Sequence, residues 1–193
     1  MDGIILADIL KVSLTLFTVI DVIGVLPLLI DISRNTGVIH PEKASFTSLI
    51  IMLLALFLGE KFLFFLGVTK NSFAVAGGII LFILAMEMVL GRNIIKQGKM
   101  SQKTTAVVPV AFPLISGAGT ITTILTLKSQ FNHFEISIGI LFNVILVYLV
   151  LRYLNVIEGK ISESTIMVMR KMFGVILLAI SVGMITKNLK LNI

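Results

Sequence analysis

The chain contains no cysteine. Disulfides, thiolate metal sites and cysteine nucleophiles are excluded at once. Charge is scarce too: 13% of the 193 residues are Asp, Glu, Lys or Arg, about half the ~25% of an average soluble domain. His40 and His133 lack metal-ligand spacing, so neither a metal site nor a cofactor is expected. The start, Met1-Asp2-Gly3, has no basic n-region and no small-residue cleavage site. The first helix is therefore expected to act as an uncleaved insertion signal.

Apolar residues fill the space that charge leaves. They make up 57% of the chain, and the mean hydropathy is +1.08. Six spans of ~20 residues consume ~120 positions and leave no room for a separate soluble domain. Residues 1–193 are thus expected to form one integral membrane domain. A barrel would need alternating apolar and polar residues, whereas these runs are apolar on all sides, so the fold class is all-α. A net charge of +6 would suggest nucleic acid in a soluble protein. In this composition the lysines read as topology signals and lipid-headgroup contacts, with the bilayer as partner and no nucleic acid.

Six spans can be drawn, at about 7–32, 44–68, 72–90, 104–127, 134–154 and 165–189, the second interrupted by Glu60-Lys61. An even number puts both termini on one side. That side holds Lys11, Lys61, Lys70, Lys128, Lys187 and Lys190, six cations against ten on the other. Four of the ten lie in the acid-free stretch 92–103. The positive-inside rule places that stretch in the cytoplasm and both termini outside.

Asp21 is the most informative residue. It lies in an otherwise uncharged run of 19 residues, Val12 to Ile30. A carboxylate at such a depth costs ~3 kcal/mol or more on insertion scales. Gly24 and Pro27 follow it, and both weaken a helix. A second weak patch lies in span 4, where Pro113, Gly117 and Gly119 accompany Ser116, Thr120, Thr122 and Thr123. Backbone groups freed by a break in a membrane must be satisfied by protein, water or ligand. Two facing breaks would make a midplane site of backbone dipoles, hydroxyls and one carboxylate, suited to a small zwitterion. The plainer alternative is a proline kink with glycines for close packing.

An internal repeat relates the two patches. The eleven residues from Gly78 in span 3 match those from Gly174 in span 6 at four positions, at an offset of 96. The same offset carries Asp21 onto Gly117. Halves at about 1–96 and 97–193 with three spans each would have opposite orientations, giving two inverted three-helix repeats.

Other polar residues are weaker candidates. Asn143 in span 5 is either a substrate contact or an interhelical hydrogen bond. Glu87 is either an interfacial acid or, with Asp21, a coupling-ion residue. Glu60-Lys61 reads as a pair near a helix end that snorkels. Gly77 and Gly78 read as close-packing residues.

The stretches Phe17 through Pro27, Gly59 through Gly91, Pro109 through Thr123 and Arg170-Lys171-Met172-Phe173-Gly174 resemble the MarC family of six-span bacterial inner-membrane proteins, within the wider LysE exporter superfamily. The resemblance covers nearly the whole chain. The family pattern has Asp-Pro-x-Gly in span 1 and Gly-Pro-Gly in span 4. This chain has Asp21-Val22-Ile23-Gly24 and Gly117-Ala118-Gly119, so both signature prolines are replaced. The resemblance implies transport of small neutral amino acids across the inner membrane.

Three function classes compete. A secondary transporter would bind its solute at Asp21, Gly24, Pro27, Pro113, Ser116, Gly117, Gly119, Thr120 and Asn143, with a proton or sodium ion as coupling partner. An intramembrane enzyme would need a second catalytic acid or a Ser/His pair in the bilayer. No span holds a histidine, and a non-enzyme is expected. A structural membrane protein is the third class.

Overall fold

The computed structural model describes residues 2–22, 24–36, 39–91 and 106–189. Among these every regular element is helical. α1 (Asp2–Ile20) and α2 (Leu26–Thr36) cover the first of the six stretches drawn from the sequence, whose span numbers are kept below as labels. α3 (Pro41–Phe65) and α4 (Lys70–Leu90) form spans 2 and 3. Span 4 consists of a π-helical segment, Ala106–Ile115, followed by α5 (Ala118–Leu127). Span 5 is α6 (His133–Arg152); the short α7 (Leu154–Lys160) leads into α8 (Glu163–Asn188), span 6. The stretch 92–103, whose charges set the expected orientation, lies outside the described residues.

Local signals explain where the helices begin and end. Pro41 opens α3, where its missing N–H costs nothing. The Thr69 hydroxyl accepts from Ser72 N–H at 3.0 Å and starts α4, which ends on left-handed Gly91 with φ 66°. The Glu135 carboxylate reaches back to Asn132 N–H at 2.9 Å at the head of α6. Ser162 accepts from Thr165 N–H and starts α8. Each such cap contributes about 1 kcal/mol.

α3, α4, α6 and α8 are long and apolar enough to cross a bilayer, and α5 is a shorter apolar helix. Large apolar side chains such as Phe46, Phe62, Phe64, Phe142 and Ile176 are exposed on the outside, as hydrocarbon solvent requires. Leu16, Leu56, Met88, Ile124 and Ile140 fill the interior.

The packing follows a regular scheme. α1 lies against α6, and the π-helical segment lies against α3. α2 lies against α8, and α5 against α4. α4 and α8 share the most extensive interface, and glycine makes it close. A Cβ on Gly78 would lie 2.8 Å from Ile185 and 3.2 Å from the Ser181 carbonyl; one on Gly174 would lie 2.9 Å from Met88. Gly77 abuts Ala118, where a Cβ would overlap the alanine's own. These are the close-packing roles expected of Gly77 and Gly78.

The structure refines the sequence reading at three places. Helix α3 runs unbroken through Glu60 and Lys61. Both are exposed, so neither pays a burial cost that would break the helix. Glu60 binds Lys70 at 2.7 Å and Lys128 at 3.4 Å. Span 4 does not break at Pro113: the chain there widens into π-turns, which accommodate a residue with no N–H to give, and parts only after Ile115. The link between spans 5 and 6 holds a helix, α7.

Candidate functional site

Span 1 breaks at Asp21. Its N–H still closes α1 by donating to the Phe17 carbonyl at 2.9 Å, but its φ is +42°. That left-handed backbone turns the chain out of the helix; Asp tolerates it better than most residues. The carboxylate then organises the next turn. Oδ1 accepts from Gly24 N–H at 3.1 Å, and the Asp21 carbonyl accepts from Val25 N–H at 3.0 Å. Gly24 is needed because a Cβ there would occupy the place of the Asp21 carboxylate. The side chain that costs most in the bilayer thus restarts the helix. Its Oδ2 makes no hydrogen bond among the described residues.

Span 4 breaks at Ser116 and Gly117, without charge. Ser116 N–H donates to the Ala111 carbonyl at 2.9 Å, a π-type bond, and its hydroxyl donates to the same carbonyl at 2.6 Å. The Thr120 hydroxyl donates to Ile115 C=O at 2.8 Å. Gly117 is extended and heads α5, where its carbonyl accepts from Ile121 N–H at 2.9 Å. A Cβ on Gly117 would overlap the Pro113 carbonyl. The Ser116 hydroxyl is thus a second donor to the Ala111 carbonyl, and the Thr120 hydroxyl bridges the break to the Ile115 carbonyl. As oxygens they keep lone pairs able to accept from a bound ammonium.

The two breaks border one cavity of about 870 Å³. Asp21, Gly117 and Pro113 lie at its inner end, with Gly119 and Thr120 on the α5 side. Thr15 and Thr18 line it from α1; Thr122, Thr123 and Thr126 line it from α5; Gly183 and Met184 line it from α8. Gln130 and Lys187 line it near the ends of α5 and α8, and Lys11 from midway along α1. Along α1 the ten residues from Lys11 to Asp21 rise about 15 Å, which sets the depth. The lining is mixed: one carboxylate, a band of threonines and two lysines between apolar walls.

Five of the nine proposed substrate residues line this cavity: Asp21, Pro113, Gly117, Gly119 and Thr120. Gly24, Pro27 and Ser116 are buried behind it and shape the breaks. Asn143 is not brought to it. Its amide nitrogen donates to the carbonyls of Ser13 at 3.0 Å and Gly139 at 2.9 Å, which joins α6 to α1. Glu87 is buried on α4 but does not border the cavity, where Leu81 is the α4 residue. The sequence did hold a signal for the α1 wall. Lys11, Thr15, Thr18 and Asp21 recur at intervals of four, three and three, the spacing of one helix face.

The sequence comparisons place the chain among integral membrane proteins. The family model for MarC family integral membrane proteins matches residues 6–193. A UPF0056 membrane protein of Pyrococcus abyssi is 31% identical over 91% of this chain and 90% of its own length. One from Aquifex aeolicus is 28% identical over 93% and 91%, and one from Methanocaldococcus jannaschii 26% over 91% and 93%. No solved structure matches. With nearly the full length matched and two helix breaks bordering one cavity, the chain belongs to the MarC family of integral membrane proteins.

Proposed function

We propose that this protein is a secondary transporter that moves small neutral amino acids across the cell membrane by alternating access. The observation that carries the reading is the cavity with a lone carboxylate at its inner end, between two breaks in opposite halves of the chain. Asp21 Oδ2 would take the solute's ammonium. Gly119 and Thr120, in the first turn of α5, would offer backbone N–H groups to its carboxylate. Coupling falls to Asp21, with a proton or sodium ion as the partner. A volume of about 870 Å³ exceeds what one small amino acid fills. The site is therefore the inner end, and the rest is the approach to it.

The architecture we propose is six spans in two inverted repeats of three. The paired contacts support it. The first half of span 1 packs on span 5, as the first half of span 4 packs on span 2. The second half of span 1 packs on span 6, as that of span 4 packs on span 3. Gly78 and Gly174, at the offset of 96, each fit the partner helix at the α4–α8 crossing. The charge bias puts the cavity mouth outside and the stretch 92–103 in the cytoplasm.

A second reading is a membrane protein that transports nothing. It is favoured by the bonds of Asp21 to Gly24, Ser116 to Ala111 and Thr120 to Ile115, which give each group a structural task. An enzyme is not proposed, since no second acid borders the cavity among the described residues. Counterflow in proteoliposomes with a panel of labelled amino acids decides between the first two. The transport reading requires exchange of at least one member above empty liposomes. Background rates across amino acids and related metabolites would leave the structural reading standing.

A further inference from the structure

The cavity is one-sided. It follows α1 from Lys11 to Asp21, α8 from Leu177 to Asn188 and span 4 onward from Pro113. No residue of α2, of α7, or of α8 before Leu177 borders it. On that other side the described residues pack closely. Leu28, Leu29 and Ile30 of α2 are buried, as are Leu154 and Ile166 on the neighbouring elements, and α2 lies against α7 and α8.

Ion pairs are distributed with the same asymmetry. Near the end of α2, Arg34 Nε donates to Glu158 Oε1 of α7 at 2.6 Å, and Nη1 lies 3.6 Å from Glu163 Oε1 at the head of α8. Arg34 thus ties the second half of the broken span 1 to the start of span 6. At the mouth, Lys11 pairs with Asp8 of its own helix, and Glu60 pairs with Lys70 and Lys128. Among the described residues, no ion pair joins α1 or α8 to another element at that end.

We propose that Arg34, with Glu158 and Glu163, is the latch of a gate that seals the cavity opposite its mouth. α2 is the moving part, and the break at Asp21 is its hinge. Among the described residues the backbone crosses the break on two bonds, Asp21 N–H to the Phe17 carbonyl and Val25 N–H to the Asp21 carbonyl, while Gly24 N–H is held by a side chain, so a change in φ and ψ there disrupts few bonds. α2 is 11 residues long, which makes it a lever of about 16 Å. Arg34 sits near its far end, where a given rotation gives the largest displacement and one contact has the greatest leverage. Swinging α2 away would open Asp21 to the sealed side. The structure is then the mouth-open, latch-closed state of the transporter proposed above, on which reading this inference rests.

Absence of cysteine makes the test clean. Two single-cysteine reporters are built, Thr126→Cys at the mouth and Leu28→Cys behind the latch. Each is labelled with a membrane-impermeant maleimide in right-side-out and inside-out vesicles. With the latch intact, Thr126→Cys reacts and Leu28→Cys is protected from both sides. Neutralising the latch with Glu158→Gln and Glu163→Gln should speed labelling of Leu28→Cys from the sealed side and slow that of Thr126→Cys. The expected change is about fivefold each, since partly exposed pairs contribute modestly. Swapping the pair, Arg34→Glu with Glu158→Arg, should restore the original rates where Arg34→Glu alone does not.

Unchanged rates on breaking the latch would overturn the proposal. So would faster labelling of both reporters without rescue by the swap, which marks general loosening. Labelling needs no solute, so the two readings fail separately. Reporters that switch in a protein that exchanges nothing support the gate and sink transport. Exchange with reporters blind to the latch sinks the gate alone.

Discussion

At Asp21 the chain leaves its helix by adding a group, and at Gly117 by omitting one. The first break is held by a carboxylate that caps the next turn and by a left-handed backbone. The second is held by hydroxyls that donate to backbone carbonyls of the preceding segment, beside a glycine that makes room for the Pro113 carbonyl. Both interrupt a span near the same depth of the cavity. The charge at the first break is therefore not needed merely to end a helix, because the second does so without it. This contrast is the strongest physical argument that Asp21 has a task beyond the turn.

The comparison can be broken at either side. Asp21→Asn keeps an acceptor for Gly24 N–H and removes the charge. It should lower solute exchange by roughly 30-fold or more, the loss of a buried charge partner, with the folded yield unchanged. Counterflow normalised to protein in the liposome measures this, and wild-type exchange would return Asp21 to a structural role. Gly117→Ala acts on the other break by a different route. Its Cβ meets backbone, which cannot rotate away, so the variant should lose about 2–3 kcal/mol of stability, seen as a lower melting temperature in detergent. Gly24→Ala meets only the movable Asp21 carboxylate. It should cost about 1 kcal/mol and weaken exchange more than stability, as capping and positioning are lost together. Thr120→Val removes one hydrogen bond worth ~1 kcal/mol and should weaken exchange about fivefold. Equal melting temperatures for Gly117→Ala and Gly24→Ala would remove the asserted difference between the breaks.

Much of the fold is legible in composition and spacing, because long apolar runs leave a chain few choices in lipid. The break at Asp21 is legible for the same reason: an acid at that depth has to be explained. The exact place of the second break is not. Proline usually marks the end of a helix, but here Pro113 is carried inside wider turns, and the chain parts at Ser116, whose N–H and hydroxyl both donate to the Ala111 carbonyl. Asn143 carries two readings in the sequence. A polar residue in a span can serve a ligand or a neighbouring helix, and only the position of the Ser13 carbonyl decides for the helix. Ser116 and Thr120 stand out for their hydroxyls beside a weak patch, yet the sequence does not reveal that their protons are already committed. Arg34 is far from Glu158 and Glu163 in the chain, and no spacing links it to them.

The central claim is that the walls contributed by the two broken spans form one site. Thr18 lies on the α1 wall and Thr123 on the span 4 wall. In the cysteine-free chain, Thr18→Cys and Thr123→Cys can be labelled singly with maleimide in the presence of the exchanged solute. One site predicts that the solute protects both, with the same half-saturating concentration, and that adding Asp21→Asn abolishes both protections. Protection of one wall alone, or protection that survives Asp21→Asn, would contradict the account.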